Sequence, residues 1–164
     1  MTLDELNGLD RARFVAALGW IVEDSPWVAE RTWTHRPFAT LEHLHAAMTR
    51  EVAAATAAEQ LALLRAHPDL GTRTKMTDAS TGEQARAGLD RLTPEELERL
   101  RAANTAYRRK FGYPFLFAVR NSTRVQILDA LDERLRNAPE QEFAEALQQV
   151  SRIARFRLED AVRR

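Results

Sequence analysis

Thr93-Pro94-Glu95-Glu96-Leu97-Glu98-Arg99-Leu100-Arg101-Ala102-Ala103-Asn104-Thr105-Ala106-Tyr107-Arg108-Arg109-Lys110-Phe111-Gly112-Tyr113-Pro114 carries both ends of one helix and the face that helix buries. Thr93 is an N-cap, Pro94 takes the first helical position where its missing N–H is no loss, and Glu96 closes a capping box. Leu97, Leu100, Asn104 and Tyr107 follow at helical spacing, until Gly112 offers a left-handed residue and Pro114 forbids continuation. The same grammar recurs on both sides. Asp10 caps a helix with the stripe Phe14, Ala17, Leu18 and Ile21; Ser25-Pro26-Trp27 reads as a further start, and Arg36-Pro37-Phe38 closes that short piece. Thr40 caps Leu41, Leu44, Met48 and Val52, and Thr56 with Glu59 forms a capping box before Leu61, Leu63 and Leu64. Ser80-Thr81-Gly82-Glu83 has the S-x-x-E spacing and reads as the start of a short helix running to about Leu92. Asn121 or Ser122 is expected to cap the next helix, Asn137-Ala138-Pro139 to break it, and Phe143 to about Val162 to form the last. Phe115-Leu116-Phe117-Ala118-Val119 resembles a strand but has no partner of like character, so it reads as buried extended chain. The expectation is an all-α protein, residues 1–164 forming a single compact, bundle-like domain of about eight helices.

Composition narrows the chemistry. The chain has 164 residues, with Lys plus Arg and Asp plus Glu at 24 each, so no net field draws it to nucleic acid or to an anionic membrane. It has no cysteine, which removes disulfides, thiolate metal sites and a cysteine nucleophile together. His43 and His45 point to different faces of one helix, a poor metal spacing. No apolar run approaches the roughly 20 residues of a membrane helix, and Met1-Thr2-Leu3-Asp4-Glu5 does not read as a signal peptide. A cytoplasmic protein without a metal is expected.

Three residues stand out for chemistry, each with a plainer alternative. His67 is followed by Pro68, which pushes it out of the α region and places it at a helix end. There it faces a small-molecule site or merely complements the helix dipole. Glu83 faces the same loop or does no more than close a cap. Arg157 projects into the apolar arc of Phe143, Leu147, Val150, Ala154, Leu158 and Ala161, whereas Arg152 and Arg155 do not. It is either a guanidinium held in apolar surroundings to grip a carboxylate or an edge residue that snorkels to water. The helix end at His67 and the start at Ser80 face each other across Arg73, Thr74, Lys75 and Met76, which outlines a small-molecule site.

Ser25-Pro26-Trp27-Val28-Ala29, Arg36-Pro37-Phe38, His67-Pro68-Asp69-Leu70, Ser80-Thr81-Gly82-Glu83-Gln84, Gly88-Leu89, Asn104 with Tyr107, Lys110-Phe111-Gly112-Tyr113-Pro114-Phe115 and Arg157-Leu158 occur in the order of one family. The chain resembles the 2-oxo-4-hydroxy-4-carboxy-5-ureidoimidazoline (OHCU) decarboxylases over nearly its whole length. That resemblance implies a cofactor-free enzyme completing urate breakdown to (S)-allantoin, with His67, Glu83 and Arg157 as the catalytic set and His67 the proton donor. It further implies a pocket lined by Pro68, by Ser80, Thr81, Gly82, Glu83 and Gln84, and by Phe115, Leu116, Phe117, Ala118 and Val119. The implied partner is the small-molecule substrate, with a homodimer as an open option. The loop from Leu70 to Ser80 is short for the family, and Ala103 stands where leucine commonly precedes the asparagine. Rival readings are a cofactor-free lyase or hydrolase acting on another ureide, and a non-catalytic helical binding module.

Overall fold

Threonine decides where many of these helices begin. The hydroxyls of Thr2, Thr40, Thr56, Thr77, Thr93 and Thr123 each accept a backbone N–H three residues ahead, starting α1 (Leu3–Asn7), α4 (Leu41–Ala54), α5 (Ala57–Arg65), α6 (Asp78–Arg86), α7 (Pro94–Phe111) and α8 (Arg124–Arg134). Asp10 does the same for α2 (Arg11–Leu18). α3 (Trp27–Trp33) and α9 (Pro139–Ala161) complete the set. The computed structural model describes residues 1–71 and 76–163, and among them it is all-α, with nine helices and no strand. An isolated parallel bridge joins Thr2 to Arg163. Among the described residues no helix is long and apolar enough to cross a membrane.

The capping boxes expected at Thr56 and Thr93 are present, as is the left-handed Gly112 with φ 83°. Several boundaries differ from expectation, among them the end of α6, at Arg86 and not at about Leu92. α1 was not anticipated, although Thr2 and Glu5 form a full capping box. α6 starts at Asp78 rather than at Ser80: Thr77 lies in extended backbone one residue earlier, and its hydroxyl takes the Ser80 N–H at 3.2 Å. α8 is capped by Thr123 with Gln126, because Asn121 is spent on a left-handed turn (φ 64°) and cannot also cap. α9 begins at Pro139 instead of Phe143, since a proline that looks like a breaker is well suited to a first helical turn. At α3 the Ser25 hydroxyl donates to the Glu23 carbonyl at 2.8 Å, so that helix starts without a side-chain cap.

The contacts divide the chain into two compact units. The first comprises Met1–Ala66 and the chain from Val150 onward, hence α1 to α5 and the later part of α9. Leu6, Phe14, Ile21, Leu44, Met48 and Leu158 are buried in it. Asn7 brackets Phe38, donating to its carbonyl at 3.0 Å and accepting its N–H at 2.8 Å. Arg36 lies over the Trp33 ring and donates to the carbonyls of Asn7 and Leu9, both at 2.8 Å. His45 reaches the Ser151 carbonyl at 2.8 Å, tying α4 to α9.

The second unit is His67–Gln149, with α6, α7, α8 and the beginning of α9. Its centre is polar. Glu142 is wholly buried, accepts 2.9 and 2.6 Å bonds from Arg134 Nε and Nη2 and a 3.0 Å bond from Asn137, and takes the Tyr107 hydroxyl proton donor as well. Arg134 Nη1 donates onward to the Leu116 carbonyl, and the guanidinium lies 4.5 Å from the centre of the Phe115 ring. Burial, and then the bond to Glu142, push the Tyr107 phenol well above its usual range, so it remains a donor. Tyr107, Tyr113, Phe115 and Phe143 pack edge-to-face around this group. Glu142→Gln leaves the buried Arg134 cation uncompensated, and by the usual penalty for breaking a buried pair is expected to remove about 3–5 kcal/mol of stability. Urea unfolding of the variant beside the parent, read at equal slope, measures it.

Candidate active site

His67 follows directly after α5, whose last turn is closed by the Ala66 N–H bonding to the carbonyls of Ala62 and Leu63. Its side chain is buried, at 6 % exposure. The segment it opens, His67-Pro68-Asp69-Leu70-Gly71, is neither helix nor strand, and three of its polar groups are met by side chains of α6 and α7. Asp69 pairs with Arg108 at 3.4 Å, the Leu70 carbonyl accepts from Asn104 Nδ2 at 3.0 Å, and the Gly71 N–H donates to Gln84 Oε1 at 2.8 Å. Gly71 has φ 69°, and a methyl group there would lie 2.5 Å from Leu100 Cδ2. Glycine is therefore required twice over, for its backbone and for the close approach of α7.

α6 carries the Ser80 to Gln84 stretch. Ser80 and Gln84 are buried, Gly82 and Glu83 half-buried, and Thr81 exposed. Because the helix starts earlier than expected, the Ser80 N–H is taken by the Thr77 hydroxyl and the Thr81 N–H by the Thr77 carbonyl at 3.0 Å. Residues 80–84 thus do not present an open helix N-terminus, and Glu83 is not a capping-box carboxylate. What they offer a ligand is side chains. Gln84 is already engaged, its oxygen with Gly71 and its amide with Met76 Sδ at 3.3 Å. A cavity of about 430 Å³ beside α6 is lined by Gly71, Met76, Thr81, Gln84, Leu89 and Leu97 among others. It includes Thr81 and Gln84 of the expected residues. Arg73, Thr74 and Lys75 lie outside the described residues.

Phe115 to Val119 is extended chain, buried except for the half-buried Phe117, as the sequence led one to expect. With no neighbouring strand, its backbone is held by side chains: Leu116 by Arg134, and the Ala118 N–H by Gln149 Oε1 at 2.9 Å. Pro68 is half-buried.

In the first unit Arg157 is 3 % exposed, which decides between the two readings of its place on α9 in favour of burial. Nη2 pairs with Glu23 at 2.8 Å, and Nη1 donates to the carbonyls of Trp20 at 3.2 Å and Ile21 at 3.4 Å. The planar fork is thus oriented by an internal carboxylate, itself 2 % exposed.

A model of the family described as OHCU decarboxylase matches residues 7–159. The chain belongs to the OHCU decarboxylase family. It is 48% identical over 160 residues to the 2-oxo-4-hydroxy-4-carboxy-5-ureidoimidazoline decarboxylase of Halalkalicoccus jeotgali, covering 98% of this chain and 91% of that one. The protein of the same description from Haloferax volcanii is 47% identical over 158 residues, covering 96% and 94%. Among solved structures, one titled as (S)-allantoin synthase superposes with a TM-score of 0.83 at 36% identity, covering 99% of this chain and 54% of that one. This member of the OHCU decarboxylase family therefore spans about half of that solved chain.

Sequence reasoning missed the residues that hold the site's segments in place. Asn104 stands out in the sequence as a polar residue in the stripe of α7, without a role; Arg134 and Gln149 act on backbone atoms distant in sequence, and nothing local marks them. Glu23 carried a slighter signal, a carboxylate directly after the apolar pair Ile21-Val22, with no helical periodicity behind it. Gly71→Ala is expected to destabilise the protein by roughly 1–3 kcal/mol through its left-handed backbone alone, with further loss from the clash with Leu100. Thermal unfolding of the variant tests this, the prediction being a clear fall in Tm.

Proposed function

We propose that this protein decarboxylates OHCU to (S)-allantoin and carbon dioxide in urate breakdown, without a cofactor. The observation that carries the reading is His67, an imidazole shielded from water at a helix end on a loop braced at Leu70 and Gly71, within a chain of this family. In the reaction the bond from the ring to the carboxylate carbon breaks, its electron pair passes into the ring, and one ring carbon takes a proton on one face. Geometry of the donor fixes the hand of the product.

His67 is assigned as that proton donor. Arg157 is assigned an anionic or carbonyl oxygen of the substrate, the bidentate task for which a pre-oriented guanidinium is suited. Glu83, with the side chains of Ser80, Thr81 and Gln84 and with Pro68, is assigned the ureide and ring edge. The backbone of Phe115 to Val119 supplies the remaining wall. The chain is taken to work as one domain over residues 1–164, in the cytoplasm and on a soluble small molecule, with neither nucleic acid nor a membrane as partner. Light scattering distinguishes a homodimer from a monomer.

A coupled assay in which urate oxidase and hydroxyisourate hydrolase generate the substrate, read by circular dichroism for optically active allantoin, tests the assignment. His67→Asn keeps a hydrogen-bonding side chain but cannot deliver a proton at neutral pH. It is expected to lose about 10²- to 10⁴-fold in rate with the fold retained; a parental rate, corrected for spontaneous decay, removes His67 from the mechanism. Arg157→Lys keeps the charge beside Glu23, so the fold should survive while the fork is lost. A fall in kcat/KM on the order of tenfold or more, equal to about 1.4 kcal/mol or more of lost transition-state binding, is the expected result. Turnover equal to the parent's refutes the clamp.

A further inference from the structure

We infer that Asn104 is a positioning residue for His67, acting through the backbone of the loop that carries the imidazole. The inference rests on the proposed role of His67 and adds to it a residue with no contact to substrate required. Asn104 stands on α7, one helical turn after Leu100, so the two side chains meet the loop side by side: Leu100 against Gly71, and the Asn104 amide on the Leu70 carbonyl at 3.0 Å.

The other half of that amide is the informative part. Asn104 Oδ1 is buried and has no hydrogen-bond partner among the described residues. Turning the amide over is no remedy, because Oδ1 would then face the Leu70 carbonyl, oxygen against oxygen. A buried acceptor left without a donor is unfavourable, and leucine at this position would abolish it. The satisfied Leu70 carbonyl and the unsatisfied Oδ1 thus offset one another in stability. What asparagine provides and leucine does not is the donor to Leu70.

Leu70 is a leverage point. It lies three residues after His67, Pro68 between them has its φ fixed by its ring, and Gln84 fastens the next residue, Gly71. With both Leu70 and Gly71 held, residues 67–71 have little freedom left and the imidazole is aimed by its backbone. Release of the Leu70 carbonyl restores that freedom at the residues nearest the acid. Proton transfer is sensitive to such displacement, a shift of about 1 Å being able to cost on the order of 10²-fold.

The test is a double-mutant cycle. Asn104→Leu and Asn104→Ala are each made in the parent and in His67→Asn, and all are assayed for formation of (S)-allantoin, with the His67 variants at raised enzyme concentration so that their residual rates stand above spontaneous decay. In the parent, kcat is expected to fall on the order of 10- to 100-fold with KM little changed. In the His67→Asn background the same substitutions should cause no further loss, since an effect transmitted through the acid has nothing left to act on. Parental kcat, a loss confined to KM, or an equal loss in both backgrounds overturns the inference and leaves the role of His67 standing. Parental activity in His67→Asn alone overturns that role, and the inference with it. Should Asn104→Leu fail to fold, Asn104→Ala is read by the same criteria.

Discussion

A carboxylate with no access to water has to be satisfied from within, and in the second unit that demand falls on the surroundings of Glu142. Arg134, Tyr107 and Asn137 meet it together, so α7, the end of α8 and the start of α9 converge on one anion. The arrangement is a matter of desolvation more than of attraction: once the charge is buried, each partner that failed to arrive would leave it exposed to a medium that cannot screen it. Because the guanidinium has donors to spare, the same residue also secures the Leu116 carbonyl. The extended segment is thereby fixed by the same ionic centre that holds the helices.

That link resolves a difficulty peculiar to helical proteins. An extended segment such as Phe115 to Val119 exposes N–H and C=O groups which a sheet would normally satisfy, and no sheet is formed among the described residues. Side chains take the place of neighbouring strands, Arg134 for one carbonyl and Gln149 for one N–H. The loop after His67 is handled in the same way by Asn104 and Gln84. Both irregular segments are thus braced by polar side chains projecting from regular helices, which lends loops some of the rigidity of helices.

Legibility in the sequence followed the range of the interaction. Thr40, Thr56 and Thr93 cap helices as expected because a cap is a contract between residues three apart, complete within a short window. Thr77 was passed over for Ser80 because several hydroxyls crowd that window, and the choice among them turns on backbone conformation that the residue types do not dictate. Arg157 stood out because periodicity alone puts it among apolar neighbours. Its partner Glu23 lies at the other end of the chain, and the pairing became visible only once the fold had brought α9 to the turn after α2. Arg134 and Glu142 are only eight residues apart, yet they flank a helix break and read as ordinary surface charges. The position of His67 at a helix end was readable from the proline after it; the bracing of Leu70 and Gly71 was not, since it comes from helices later in the chain.

α9 is a single helix whose early turns belong to the second unit and whose late turns belong to the first. During synthesis the second unit, being continuous, has all of its own residues as soon as Gln149 has emerged. The first has α1 to α5 much earlier, but it lacks Ala154 and Leu158 from its buried set and has no Arg157 to meet Glu23. The buried set of the first unit is therefore complete only once residues after 149 have been made, although that unit also holds the N-terminal helices.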